Sequence, residues 1–387
     1  MNNLKEISSK ESTYVPGLEG VVAAQTRLSA VDGKAGKLMI AGFPLEEIAP
    51  RASFEEMAYL LWAGDLPNSR QLNEFREMLA RNRSLPQAAL DLLIASAAEK
   101  VNSMDALRIA TGALSLDFPS GAGELAENVA IIGRLPVLVA AYWRLRNGEQ
   151  PVAPRPDLGY AANYLYMLRG QTPHPAHVRA LETYLNAVID HGLNASTFTA
   201  RVIISTGSDL VSALVGAIGA LKGPLHGGAP GPALDMVFEI GEASRAEPYL
   251  RQKLERGERL MGFGHRVYKV RDPRADVLSV AAEQLYQQAG DLKLYALAKS
   301  VEQTALKLLE EYKPGRHLQT NVEYYTALLL HGLDLPVELF SPTFAISRAA
   351  GWIAHCREQQ RLNRLFRPQS QYLGPLDRKW IALDSRS

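Results

Sequence analysis

Leu294, Leu297, Val301, Ala305, Leu308 and Tyr312 recur at i, i+3/i+4 spacing. That period belongs to an α-helix with one buried face. Leu72, Phe75 and Leu79 repeat it in a shorter segment, and Ser53 followed by Glu56 has the form of a capping box opening another helix. One stretch departs from the helical period: LSAVDGKAGKLMIAG carries an Asp32-Gly33 turn signal and reads as a small hairpin. No regular alternation of strands and helices appears, which disfavours Rossmann and barrel folds. The expected fold class is all-α.

With 387 residues, 47% of them hydrophobic, the chain can bury one large core or two domains. Its 42 basic and 41 acidic residues balance to +1, and no stretch gathers the basic ones into a phosphate footprint. This argues against nucleic acid or an anionic membrane as the main partner. A single cysteine, Cys356, rules out an intrachain disulfide and points to a reducing compartment. The N-terminal MNNLKEISSKESTYV is polar and has no apolar h-region. The longest apolar run, Val129 to Trp143, is interrupted by Arg134 and Pro136 and is too short to span a bilayer. The expectation is a cytoplasmic enzyme in which that run forms a buried, proline-kinked helix.

Leu210 to Leu221 alternates bulky residues with Gly and Ala, a pattern that lets helices approach closely. Two linkers stand out: the proline-rich Asn147 to Asp157, and Gly223 to Pro232, which has the composition of a hinge.

The chemistry concentrates around two histidines in glycine-rich turns, His226 in GPLHGGAP and His265 in MGFGHRVYKVRDPRA. Flanking glycines strip away neighbouring side chains and let a ligand approach ring and backbone together. Arg274 follows His265 by nine residues, with Arg266, Lys269 and Arg271 between them. Imidazole and cation converge on an anion, a carboxylate or a phosphate.

GLEGVVAAQTRLSAVDG, HGLNAST, GPLHGGA, GFGHRVYKVRDPRA, TNVEYY and FAISRAAGWIAH occur in this order between about Pro16 and Leu373. In that order and at those separations they resemble the citrate synthase family. The resemblance implies an all-α homodimer in which a small mobile domain, residues 223–328, is inserted in a large domain made of 1–222 and 329–387. The family's larger type carries an N-terminal β-rich extension. Here the first motif begins at Gly17, so the expectation is the simple dimeric type. The implied reaction joins acetyl-CoA, oxaloacetate and water to give citrate and CoA. The runner-up is 2-methylcitrate synthesis from propionyl-CoA, because one methylene is discriminated by only ~1–3 kcal/mol. A paralogue that binds CoA or oxaloacetate without efficient turnover is the third reading.

By resemblance, His226 donates to the thioester oxygen. It precedes a helix expected over Gly231 to Glu242, whose N-terminus would keep the imidazole neutral. His265 hydrogen-bonds the oxaloacetate ketone and protonates the forming alkoxide. Arg274, Arg348 and Arg367 hold the two carboxylates, Arg367 from across the dimer, while His191 and Asn194 add hydrogen bonds. Guanidinium suits this task because its planar fork meets a carboxylate bidentately. Gly262 and Gly264 let the loop backbone pack against the CoA adenine, and Lys269, with Arg266 and Arg316, meets the CoA phosphates.

Two departures mark this chain. Most family members have aspartate as the catalytic base, and here Glu323 stands in TNVEYY. Its extra methylene moves the carboxylate by more than an ångström unless the backbone retreats. After HGGA the family's usual Asn-Glu is replaced by Pro230-Gly231-Pro232, which suits a first helical turn but changes the local polar network. His174 and His177, in PHPAH, read as loop histidines because Pro173 and Pro175 break the helix that an i, i+3 metal pair needs. His317, His331 and His355 have no ligand spacing, and His355 reads as a core or interface residue. No metal and no redox cofactor is expected; acetyl-CoA is a substrate.

Overall fold

A computed structural model describes residues 14–227 and 230–386. It divides into two compact units, one formed by residues up to Gln25 together with those from Leu365 onward, the other running from Thr26 to Arg364. The smaller unit is mostly irregular, with short 3₁₀ turns at Pro16–Leu18 and Leu383–Ser385. Most of its large apolar side chains are exposed, Trp380 by 82%.

The Thr26–Arg364 unit is helical, and among the described residues its strands are confined to one antiparallel meander, β1 (Ser29–Asp32), β2 (Lys37–Ile40) and β3 (Phe43–Pro44). The expected hairpin is there, but its turn is longer than the Asp-Gly signal suggests. Asp32 pairs with Lys37, and its Oδ1 accepts the amides of Lys34 and Ala35 at 2.9 and 2.8 Å. Gly33 has another reason: a Cβ there would lie 2.3 Å from the Val267 carbonyl. The turn is thereby pressed onto the His265 loop.

The expected helices form where the pattern places them. Ser53 and Glu56 make a complete capping box at the head of Phe54–Ala63. Ser69–Arg81 buries Phe75 and Leu79, and Lys293–Tyr312 buries Val301, Ala305 and Leu308. The apolar run is a mostly buried helical stretch, Glu124–Arg146, interrupted at Gly133 and Arg134 into Glu124–Ile132 and Leu135–Arg146, with Pro136 in the first turn after the interruption. Leu210–Leu221 packs on Ala195–Ser205 so closely that a Cβ on Gly216 would meet Ile203 Cδ1 at 2.2 Å.

The long helix Phe340–Leu362 runs through the core and is buried on nearly every side, as a helix without a polar face must be. A Cβ on its Gly351 would stand 2.3 Å from the Ile189 carbonyl, so glycine is required for the approach to the segment carrying Asp190 and His191. His355 is a core residue. Its Nε2 meets Asp190 Oδ1 at 3.1 Å, and its Nδ1 faces Arg201 at 3.1 Å. His177 is not in a loop: Pro175 opens the helix Pro175–Val188, and His174 caps it by accepting the Ala176 amide.

Candidate active site

Residues 260–272 form a loop zipped to residues 318–321. The Gly264 amide donates to Gln319 O at 2.7 Å and the Asn321 amide to Gly262 O at 2.9 Å, while Asn321 Nδ2 reaches Gly264 O at 2.8 Å. Gly262 and Gly264 both take left-handed φ, 85° and 84°. A Cβ would meet Tyr324 at 2.8 Å in the first case and Leu318 at 3.1 Å in the second. Asn321 also caps the helix Val322–Gly332 by accepting the Glu323 amide at 3.0 Å. This zipper brings His265 and Glu323, 58 residues apart, to the wall of one cavity of about 650 Å³.

The protonation state of His265 follows from its bonds. Nδ1 accepts the amides of Val267 and Tyr268 at 3.0 and 3.1 Å, so a neutral ring carries its hydrogen on Nε2. Burial, with Arg274 nearby, holds its pKa down to about 4. Arg274 is buried and clamped by Asp272, Nε to Oδ1 at 3.0 Å and Nη2 to Oδ2 at 2.7 Å. His191 is also held well below the usual histidine range by burial and by Arg274 and Arg348. Its Nε2 lies 3.0 Å from Tyr268 Oη.

His226 is not held by the helix that follows it in sequence, Pro230–Ile240. Its Nε2 lies 3.3 Å from the Ser196 amide and 2.8 Å from Ser196 Oγ, at the N-terminus of Ala195–Ser205. An amide can only donate, so Nε2 accepts and Nδ1 bears the hydrogen. Burial first, then Arg348, lowers its pKa to about 4. The helix N-terminus facing the ring favours the same neutral form. Trp352 Nε1 donates to the same Ser196 hydroxyl at 3.1 Å, and Ser341 Oγ fixes the Gly227 carbonyl at 2.8 Å. Asn194 is the cap of this helix, accepting the Thr197 amide at 3.1 Å, and its Oδ1 lies 2.8 Å from Ser196 Oγ, competing with His226 Nε2 for the one hydroxyl hydrogen.

Arg348 is 1% exposed. Its Nε donates to Val188 O at 2.6 Å, its guanidinium stacks over Phe344 at 4.5 Å, and its Nη2 is buried without an acceptor. Burial and the repulsion of Arg274 bring its pKa down to about 10, against the pull of Asp190. A buried donor left open beside a second guanidinium is a place for an anion. Glu323 is pushed up to about 7 by burial, opposed by Arg274. A carboxyl poised there can take a proton near neutral pH.

Arg266, Lys269 and Arg316 line the same cavity. So do Arg259 and Lys313, cations that sequence spacing did not single out, and His317, which sequence spacing left without a role. Asp272, Ser196, Trp352 and Tyr268 were missed as supporting residues, although all four sit inside the quoted motifs, Asp272 and Tyr268 in GFGHRVYKVRDPRA, Ser196 in HGLNAST and Trp352 in FAISRAAGWIAH. Arg367 belongs to the smaller unit and is exposed.

A family model described as "Citrate synthase, C-terminal domain" matches residues 17–369. Citrate synthase 2 of Bacillus subtilis (strain 168) is 41% identical over 380 residues, covering 97% of this chain and 100% of its own. Among solved structures, the citrate synthase of Pyrobaculum aerophilum matches with a TM-score of 0.87 at 36% identity, covering 96% of this chain and 95% of that one. The ternary complex of carboxymethyl coenzyme A and oxaloacetate with the citrate synthase of Thermoplasma acidophilum matches with a TM-score of 0.86 at 29% identity, covering 96% and 99%.

Proposed function

This chain belongs to the citrate synthase family, and on that premise we propose how its side chains divide the condensation of acetyl-CoA with oxaloacetate. Glu323 takes a methyl proton from acetyl-CoA while Nδ1–H of His226 donates to the thioester oxygen, so that the negative charge of the enolate develops against a fixed donor. The new carbon–carbon bond forms at the oxaloacetate ketone. Nε2–H of His265 polarises that ketone and gives its proton to the alkoxide. Water then cleaves the thioester to release citrate and CoA. Arg274 and Arg348 hold the oxaloacetate carboxylates, joined by Arg367 of the partner subunit in a homodimer. His191 adds a hydrogen bond, and Asn194 sets the helix start against which His226 leans. The loop cations Arg266 and Lys269, with Arg316, meet the CoA phosphates, and the turns at Gly262 and Gly264 leave room for the adenine.

The observation that carries this reading is geometric: Nδ1 of His265 and Nε2 of His226 are each engaged by backbone amides, leaving the other ring nitrogen free, and the Glu323 carboxyl stands on the same cavity wall as His265. Residues 223–328, holding His226, His265, Arg274 and Glu323, move as the small domain and close on oxaloacetate before acetyl-CoA binds. Acetyl-CoA is consumed as a substrate, and no metal or redox cofactor takes part. The single cysteine of the sequence, which leaves no intrachain disulfide to form, fits a reducing, cytoplasmic setting.

Thiol release from acetyl-CoA and from propionyl-CoA, each with oxaloacetate, tests the reading. Turnover with acetyl-CoA preferred is the expected result. Preference for propionyl-CoA would make the chain a 2-methylcitrate synthase, and binding of both ligands without thiol release would make it a non-catalytic relative.

A further inference from the structure

Glu302, on Lys293–Tyr312, is 2% exposed and takes no part in the steps above, yet four side chains from three segments converge on it. Its Oε1 accepts from Thr320 Oγ1 at 2.7 Å and Arg271 Nη1 at 2.5 Å. Its Oε2 accepts from Tyr325 Oη at 2.5 Å and Lys299 Nζ at 3.2 Å. Both cations also stand over the Tyr325 ring, Arg271 at 5.7 Å and Lys299 at 5.5 Å. Burial alone would raise this carboxyl. The bonds from Tyr325, Thr320 and Arg271 outweigh it and hold the group below the usual range, ionised.

The placement of these partners matters more than their number. Thr320 and Tyr325 flank Glu323, three residues before it and two after, while Arg271 precedes Asp272, the residue that clamps Arg274. Thr320 O also receives the Asp272 amide at 3.3 Å. One buried carboxylate thus ties the backbone on both sides of Glu323 to the loop that carries His265 and Arg274. Lys293–Tyr312 ends beside Lys313 and Arg316 on the cavity wall, so the same helix joins that wall to the knot.

We propose that Glu302 is a positioning residue for proton abstraction: it fixes the reach of Glu323 relative to His265 and Arg274. The inference rests on Glu323 being the base. Misplacing a reacting group by about 1 Å costs on the order of 10²-fold in rate, and an ionised carboxylate that binds two cations and two hydroxyls at once is a stiff anchor. Arg348 is held by other elements, through Val188 O and the Phe344 ring, so that part of the oxaloacetate site does not depend on this knot.

Glu302→Gln, Tyr325→Phe and Thr320→Val are compared with wild type and with Glu323→Gln, using acetyl-CoA and its methyl-deuterated form. In the Glu302 knot variants kcat falls roughly 10- to 100-fold, KM for oxaloacetate rises by a smaller factor than kcat falls, and the isotope effect on kcat rises as proton transfer becomes slower. If Glu302→Gln does not fold, the two milder variants decide. Folded Tyr325→Phe and Thr320→Val enzymes with wild-type kcat and isotope effect would overturn the inference. Near-normal turnover in Glu323→Gln would instead remove the reading on which it stands.

Discussion

Nη2 of Arg274 lies 3.4 Å from Nε2 of His265, and both atoms bear hydrogen. His265 cannot turn its acceptor toward Arg274, because Nδ1 is already taken by two backbone amides. Two donors aimed at one point suit an acceptor between them, which on the proposed function is the ketone oxygen beside a carboxylate. Arg274→Lys keeps the charge that Asp272 requires but loses the fork. We expect KM for oxaloacetate to rise roughly 10²-fold with only a small loss of stability, since Asp272 stays paired. A calorimetric titration with oxaloacetate that finds unchanged affinity would detach Arg274 from the carboxylate.

The pH profile expected with Glu323 as the base follows Glu323 and not the histidines. With Glu323 at about 7 and both His226 and His265 at about 4, kcat/KM should rise with unit slope up to about pH 7 and show no histidine limb above pH 5. Stability moves the other way. A carboxyl raised from 4.5 in the unfolded chain to about 7 in the fold favours folding when protonated, and that contribution is lost as pH rises through 7. Glu323→Gln should therefore be more stable than wild type at pH 8, by about 1–3 kcal/mol, and similar to it near pH 4. Denaturant melts at both pH values measure this; a difference independent of pH would mean that Glu323 is not raised.

Ser196 decides which nitrogen of His226 is free. Its amide and hydroxyl both face Nε2, and the hydroxyl also receives the Trp352 indole. In Ser196→Ala the amide remains, so the tautomer is kept, but the ring loses its shorter bond and Trp352 its acceptor. We expect kcat to fall about tenfold, the cost of a loosened donor, with both KM values nearly unchanged. A larger rise in KM than fall in kcat would place Ser196 in substrate binding instead.

What the sequence made legible follows the range of the interactions. The helices of Lys293–Tyr312 and Phe54–Ala63 could be read because periodicity and capping are local. The glycines around His265 were read as room for a ligand, whereas the reason the structure gives for them lies within the chain, the approach of Tyr324 and Leu318. The partner of His226 could not be read, since Ser196 lies 30 residues away and the helix next in sequence offered an equally good N-terminus. For the same reason the His355–Asp190 pair and the Glu302 knot were invisible: each joins segments whose juxtaposition depends on packing, and neither leaves a local pattern. Proline was read correctly once and misread once: Pro136 marks the interruption in Glu124–Arg146, whereas Pro175, read as a break, opens a helix, where a missing amide removes nothing.

Arg367 tests the proposal of a shared site. It is exposed in the smaller unit, where an arginine with no task would also be, so its role has to be read from complementation. A heterodimer with Arg367→Ala on one chain and His226→Ala on the other keeps both groups in one of its two sites if Arg367 serves the partner, and in neither intact form alone. Each homodimer should be nearly inactive, and random exchange of equal amounts should restore about a quarter of wild-type activity. If Arg367 acts within its own chain, the heterodimer has one defect in each site and mixing restores nothing. Subunit exchange followed by mass spectrometry separates that outcome from a failure to mix.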